Sequence, residues 1–128
     1  MKLEKFIDRE DKRIDGTATE QILTKFKSRF VISDYDPENQ SRLLHCNLSC
    51  ETRRIATEDL ESIPFDRKKK CYFYSERHRE MYQVTFAEVC CLVAELEPWE
   101  DIDAEVFDDS YEWLIAITHE DVTLLYGL

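Results

Sequence analysis

The sequence predicts a single α+β domain over residues 1–128: a mainly antiparallel sheet whose last three strands form a meander, packed against a buried helix (85–96) and N-terminal helices. Three observations carry that expectation. TFAEVCCLVAEL (85–96) opens on a Thr85/Glu88 capping box and is otherwise apolar or small except at Glu95, which reads as a central helix buried nearly all round. AEVFD (104–108), EWLIAITH (112–119) and VTLLYG (122–127) are short β-rich runs separated by polar turns at 109–110 and 120–121. The chain is 43% hydrophobic, with fifteen aromatic residues and only two Gly and three Pro, a composition that packs one core rather than staying disordered.

From the N-terminus, Leu3, Phe6, Ile7 and Ile14 recur at helical spacing and Gly16 offers a stop, predicting an amphipathic helix over 2–14. Thr17 and Glu20 form a capping box for a second helix with Ile22, Leu23, Phe26 and Phe30 on its apolar face; its end is open, because FVISDY also suits a strand. DPEN (36–39) is turn chemistry, and Leu44, Cys46, Leu48 and Cys50 then alternate with His45, Asn47 and Ser49 as a half-buried strand would. TEDLES (57–62) predicts one helical turn before Pro64, and RKKKCYFYS, SERHRE and MYQVT predict a hairpin with a long polar tip. WLIAI is apolar at consecutive positions, so it should be the middle strand of the meander, with the 85–96 helix on one side.

The net charge of −11 is lopsided. All 17 Lys and Arg lie in the first 80 residues beside 16 acids, whereas residues 81–128 hold 12 acids and no Lys or Arg. Such asymmetry bears on partners and association rates. No apolar stretch approaches the ~20 residues that span a bilayer, and the charged start MKLEKFIDRE does not resemble a secretory signal, so a soluble cytoplasmic protein is expected. Cys46, Cys50, Cys71, Cys90 and Cys91 are odd in number with two adjacent, which suits reduced, mostly buried thiols.

Several constellations compete as sites. Asp101, Asp103, Glu105, Asp109 and Glu112 fall at positions 1, 3, 5, 9 and 12 of a calcium loop, but Val106 stands where the loop needs Gly, and a solvated acidic face is preferred. Glu88 and Glu95 share a helix face, where capping and solvent exposure explain them better than acid/base catalysis. His45, Cys46, Cys50, Cys71, His78, Cys90 and Cys91 lack any repeated zinc-ligand spacing. Glycines only at 16 and 127 leave no phosphate loop. Arg67, Lys68, Lys69, Lys70, Arg77 and Arg79 interleave with Tyr72, Phe73 and Tyr74 as a nucleic-acid platform would, but alternation turns Phe73 away from the other two rings, and a pI near 4.7 opposes polyanion binding. His119 in ITHED reads as a turn histidine ahead of a ligand or base.

In VFDDSYEWLIAITHED, residues Phe107, Asp108, Trp113, Thr118, His119 and Glu120 resemble the ending of small uncharacterised bacterial proteins, some of which look like immunity or inhibitor proteins that neutralise toxins. The likeness covers about 15 residues and implies no catalytic assignment. Together these readings lead to a non-enzymatic protein without metal or cofactor, whose acidic C-terminal third docks on a basic partner such as a toxin or nuclease. Glu97, Trp99, Glu100, Asp101, Asp103, Glu105, Asp108, Asp109, Tyr111 and Glu112 are the expected contact residues, with Trp113 a further aromatic candidate. No membrane partner is expected. A small metal-binding protein or enzyme using His119, His45 and a cysteine is the runner-up, and nucleic-acid binding through 67–79 the third reading; acidity serving only solubility is the bland alternative.

Overall fold

A computed structural model describes residues 2–38 and 42–128. Helix α1 (Leu3–Ile7) stops at Asp8, and the chain then turns until Arg13 bridges Tyr82. The helix expected over 2–14 is thus much shorter: Ile14 arrives on extended backbone, its N–H donating to the Met81 carbonyl at 2.8 Å. Helix α2 (Gly16–Phe30) begins where a stop was expected. Asp15 is its N-cap, its carboxylate accepting the Ala18 N–H at 2.9 Å, so Gly16 is the first helical residue and the Thr17/Glu20 pair lies inside the helix. Leu23, Phe26 and Phe30 are buried on one face. Each such side chain contributes about 1.5–3 kcal/mol when fully removed from water.

Leu44–Cys46 is a 3-10 turn rather than part of a strand. Local hydrogen bonding wins there: the Asn47 side chain donates to the Leu43 carbonyl at 2.8 Å, and only Leu48 makes a bridge, to Val31. Of the 36–39 turn, the Glu38 N–H bonds Asp36 at 2.9 Å, while position 39 lies outside the described residues.

Six strands follow: β1 (Arg53–Ala56), β2 (Lys70–Ser75), β3 (Glu80–Thr85), β4 (Ala104–Phe107), β5 (Leu114–Ile117) and β6 (Val122–Tyr126). They form one antiparallel sheet in the order β1-β6-β5-β4-β2-β3. The expected hairpin is β2–β3, the expected meander is β4–β5–β6 with β5 in its middle, and Thr57–Ser62 is the expected turn, in 3-10 form. Strand β1 was not anticipated. Its four residues, with Arg53 and Arg54 exposed, form one edge of the sheet. At the other edge, residues 12–14 run alongside β3, the Gln83 N–H donating to the Lys12 carbonyl at 2.8 Å.

Because side chains alternate along a strand, the sheet has two apolar faces. Phe73, Val106, Ile115 and Leu125 pack under α1, Thr57–Ser62 and helix α3 (Phe86–Ala94), while Tyr74, Met81, Phe107 and Leu114 pack under α2. The Thr85/Glu88 capping box opens α3 as expected. The helix is not enclosed, however: Phe86, Val89, Cys90 and Leu92 face the sheet, and Cys91 and Ala94 are exposed. Among the thiols, Cys71 and Cys90 are buried, Cys50 is intermediate, and Cys46 and Cys91 lie on the surface, a correction to the expectation of mostly buried cysteines. No described helix is long and apolar enough to cross a membrane.

Candidate functional site

Antiparallel pairing brings three strand ends to one end of the sheet. Ser75 of β2 is opposite Ala104 of β4, and Ala104 is opposite Ile117 of β5, so Glu76 and Arg77, Asp103, and His119 emerge together. The 3-10 turn Leu44–Cys46 closes over them, its Leu44 N–H donating to Glu76 Oε1 at 2.9 Å, and thereby delivers His45.

Asp103 is the hub and is 1% exposed. Its Oδ1 accepts from His45 Nε2 at 2.7 Å, from His119 Nδ1 at 2.8 Å and from the His119 backbone N–H at 3.2 Å. Its Oδ2 accepts from Arg77 Nε at 3.0 Å and lies 2.9 Å from Arg77 Nη2. An ionised carboxylate only accepts, so each imidazole nitrogen facing it carries the proton. Burial works against ionising Asp103, but the hydrogen bonds from His45 and His119, and the charge those rings carry when protonated, prevail and hold it well below the usual carboxylate range. In return, the bond to Asp103 and its negative charge raise the His119 pKa above 6.5. Cys46 Sγ is 3.6 Å from His45 Nδ1, which superficially forms a thiol–imidazole–carboxylate chain. Partial burial and the nearby Glu76, Asp103 and Glu120 push that thiol up, the opposite of what a nucleophilic cysteine needs.

Behind this centre, Glu105 is fully buried, and among the described residues no amide, alcohol or cationic donor reaches either of its oxygens or Oε2 of Glu76, so the two carboxyl groups have each other for partners. Burial, then contact with Glu76 and the charge of Asp103, raise the Glu105 pKa well above the ordinary carboxylate value. Two clefts open beside the centre. One, of about 660 Å³, includes Tyr35, Tyr74, Glu76, Arg77 and Asp103 in its wall. The other, of about 600 Å³, has Val93, Leu96, Ile102 and Ile117 among its apolar walls and Glu58, Glu97, Glu100, Asp101, Asp121 and His119 around them.

The expected contact residues divide sharply. Glu97, Glu100 and Asp101 line the second cleft, and Trp99 between them is 77% exposed. Asp109, Tyr111 and Glu112 sit in the turn after β4, at the opposite end of that strand, so they belong to a different surface. Asp103, Glu105 and Asp108 are buried and cannot present charge outward, because both faces of the sheet are covered around β4: His45, Arg77 and His119 enclose Asp103, and Ser110 and Lys69 hold Asp108. Trp113 is buried against Phe65, ring centroids 4.7 Å apart, and is no contact residue either. Residues 104–107 of the calcium-like stretch are strand, as Val106 implied. In the basic hairpin, Phe73 and Tyr74 are buried and Tyr72 half-buried, so the three rings form no exposed stacking platform. Lys69 lies 3.3 Å from Asp108.

Sequence reasoning singled out His45 and His119 separately and put Asp103 on the surface. The available signal was the phase of β4: Asp103 and Glu105 alternate in step with Phe107, an apolar side chain that points inward. Glu58 and Asp121 join the acidic cleft from the 3-10 turn and the β5–β6 turn. No protein-family model, no curated protein and no solved structure matches the chain.

Proposed function

We propose that this chain is a non-enzymatic binding protein of the immunity or inhibitor type, which takes a lysine- or arginine-bearing segment of a basic protein partner into the acid-rimmed cleft beside Trp99. The observation that carries this reading is the composition of the cleft. Apolar walls from Val93, Leu96, Ile102 and Ile117 suit the alkyl stem of a long basic side chain, and the carboxylates of Glu58, Asp101 and Asp121 suit its cationic head. Among the described residues, no lysine or arginine lines this cleft; Lys2 reaches Glu97 from outside it at 2.7 Å. Residues 81–128 add a negative field that would speed encounter with a basic partner. Trp99 offers the large exposed ring on which binding energy concentrates and over which a cation can sit.

The test uses a fluorescent Lys/Arg-rich peptide against wild type and a variant carrying Glu58→Lys, Asp101→Lys and Asp121→Asn. Asparagine is chosen at 121 because that residue has φ +61°, which asparagine adopts at lower cost than lysine. Wild type should bind with a steep salt dependence, the variant should associate several-fold more slowly at low salt, and Trp99→Ala should weaken binding with unchanged salt slope. Equal association rates and equal salt slopes in wild type and the charge variant would refute the proposal.

A further inference from the structure

Beyond partner docking, we infer that His45 Nε2, Asp103 Oδ1 and His119 Nδ1 form a binding site for one zinc-class divalent cation. These three atoms lie within 4.8 Å of one another, from three separate segments of the chain. Two neutral imidazoles and a carboxylate are a recurrent ligand set for first-row dications, usually with a further coordination position left open. Imidazole-to-carboxylate distances of 2.7 and 2.8 Å fit the proton-bridged form of the site. Binding needs each facing nitrogen unprotonated, so a neutral ring moves its proton to its other nitrogen, which for His45 is Nδ1 beside Cys46 Sγ, and an imidazolium releases one to solvent. Each imidazole nitrogen must also draw back from Oδ1 by roughly half an ångström to accommodate metal–ligand bonds near 2.0–2.1 Å. His119 can give, since it stands on a turn with its side chain 35% exposed.

The surroundings are built as a metal's outer shell is. Arg77 places two nitrogens on Oδ2 and so turns Oδ1 toward the imidazoles. Its positive charge alone would oppose a cation. Against it stands the Asp103 carboxylate itself, paired with Arg77 at 2.9 Å, and Glu76 lines the same cleft. Cys46 Sγ, 3.6 Å from His45 Nδ1, is positioned to orient that ring rather than to bind metal, because Nε2 is the nitrogen facing the site.

The experiment titrates chelator-stripped full-length protein with Zn2+ by calorimetry and with Co2+ by visible absorption. Wild type should take up one equivalent of each, the cobalt form showing d–d bands, while Cys46→Ser should bind like wild type. His119→Ala and His45→Ala should each weaken binding by about 100-fold or more. His119 is on the surface, so His119→Ala, checked by circular dichroism, keeps the test valid should the buried His45 variant fail to fold. Absence of one-equivalent uptake by wild type, or unchanged uptake in His119→Ala, would overturn the assignment; the latter would put the metal on other ligands such as the thiols.

Discussion

Glu105 is wholly buried, and the hydrogen-bonding partner of its carboxyl group is a second carboxyl, that of Glu76. Glu105→Gln should therefore stabilise the metal-free protein by about 1–2 kcal/mol at pH 7, since it removes an ionisable group and offers an amide donor to its neighbour. The sign with pH follows from the raised pKa. The folded state holds the Glu105 proton more tightly than the unfolded state, so wild type loses stability relative to the variant as pH rises above about 4.5. Urea denaturation with chelator at pH 4 and pH 7 checks this; a variant no more stable than wild type at pH 7 would contradict it.

Asp108 behaves in the opposite way. Burial opposes its ionisation, but the Ser110 hydroxyl at 2.5 Å, the Ser110 N–H at 3.0 Å and Lys69 at 3.3 Å lower its pKa. Its contribution is present above the unfolded value near 3.8 and is lost as pH falls below it. Asp108→Ala should cost about 1–2 kcal/mol at pH 7, and the difference from wild type should narrow at pH 3. An equal gap at both pH values would show that the charge is not what matters.

The two glycines should respond oppositely to alanine. Gly127 has φ +76°, and a Cβ there would run into the Glu112 carbonyl oxygen. Gly127→Ala should lower stability by about 3 kcal/mol. Gly16, in the first turn of α2, has nothing within 4 Å of its would-be Cβ, and Gly16→Ala should raise stability by about 0.4–1 kcal/mol. Thermal melts of both variants decide the matter.

Thiol accessibility gives an independent check on the fold. Cys46 and Cys91 are exposed and should be modified first by a thiol reagent in the native protein, with Cys50 following. Cys90 should wait for unfolding, as should Cys71, whose thiol burial pushes up to about 12. Rapid modification of Cys71, mapped by mass spectrometry, would contradict the packing of β2 under α3.

Local patterns revealed α3, the β2–β3 hairpin and the meander, because capping chemistry, turn residues and alternation are all short-range signals. They could not reveal strand order. Reading β4 as a strand with one solvent-facing side made Asp103, Glu105 and Asp108 surface acids; helices and turns cover both faces of the sheet there, and all three are inside. His45 is 58 residues from Asp103 and His119 is 16, so their meeting depends on the sheet and on the turn that closes over it. Alternation from Leu44 to Cys50 failed for a related reason: with no neighbouring strand beyond the Val31–Leu48 bridge, a period of two had no ladder to join.

The borders of the sheet bear on how copies of this chain meet. Outside β3, residues 12–14 already occupy backbone groups that an incoming strand would use. The opposite border is only four residues long and begins with Arg53 and Arg54. Two such borders laid side by side would gain only a very short ladder, with exposed arginines flanking it. Growth into filaments by strand addition is thus disfavoured at both margins, and self-association, where it occurs, must use side-chain surfaces.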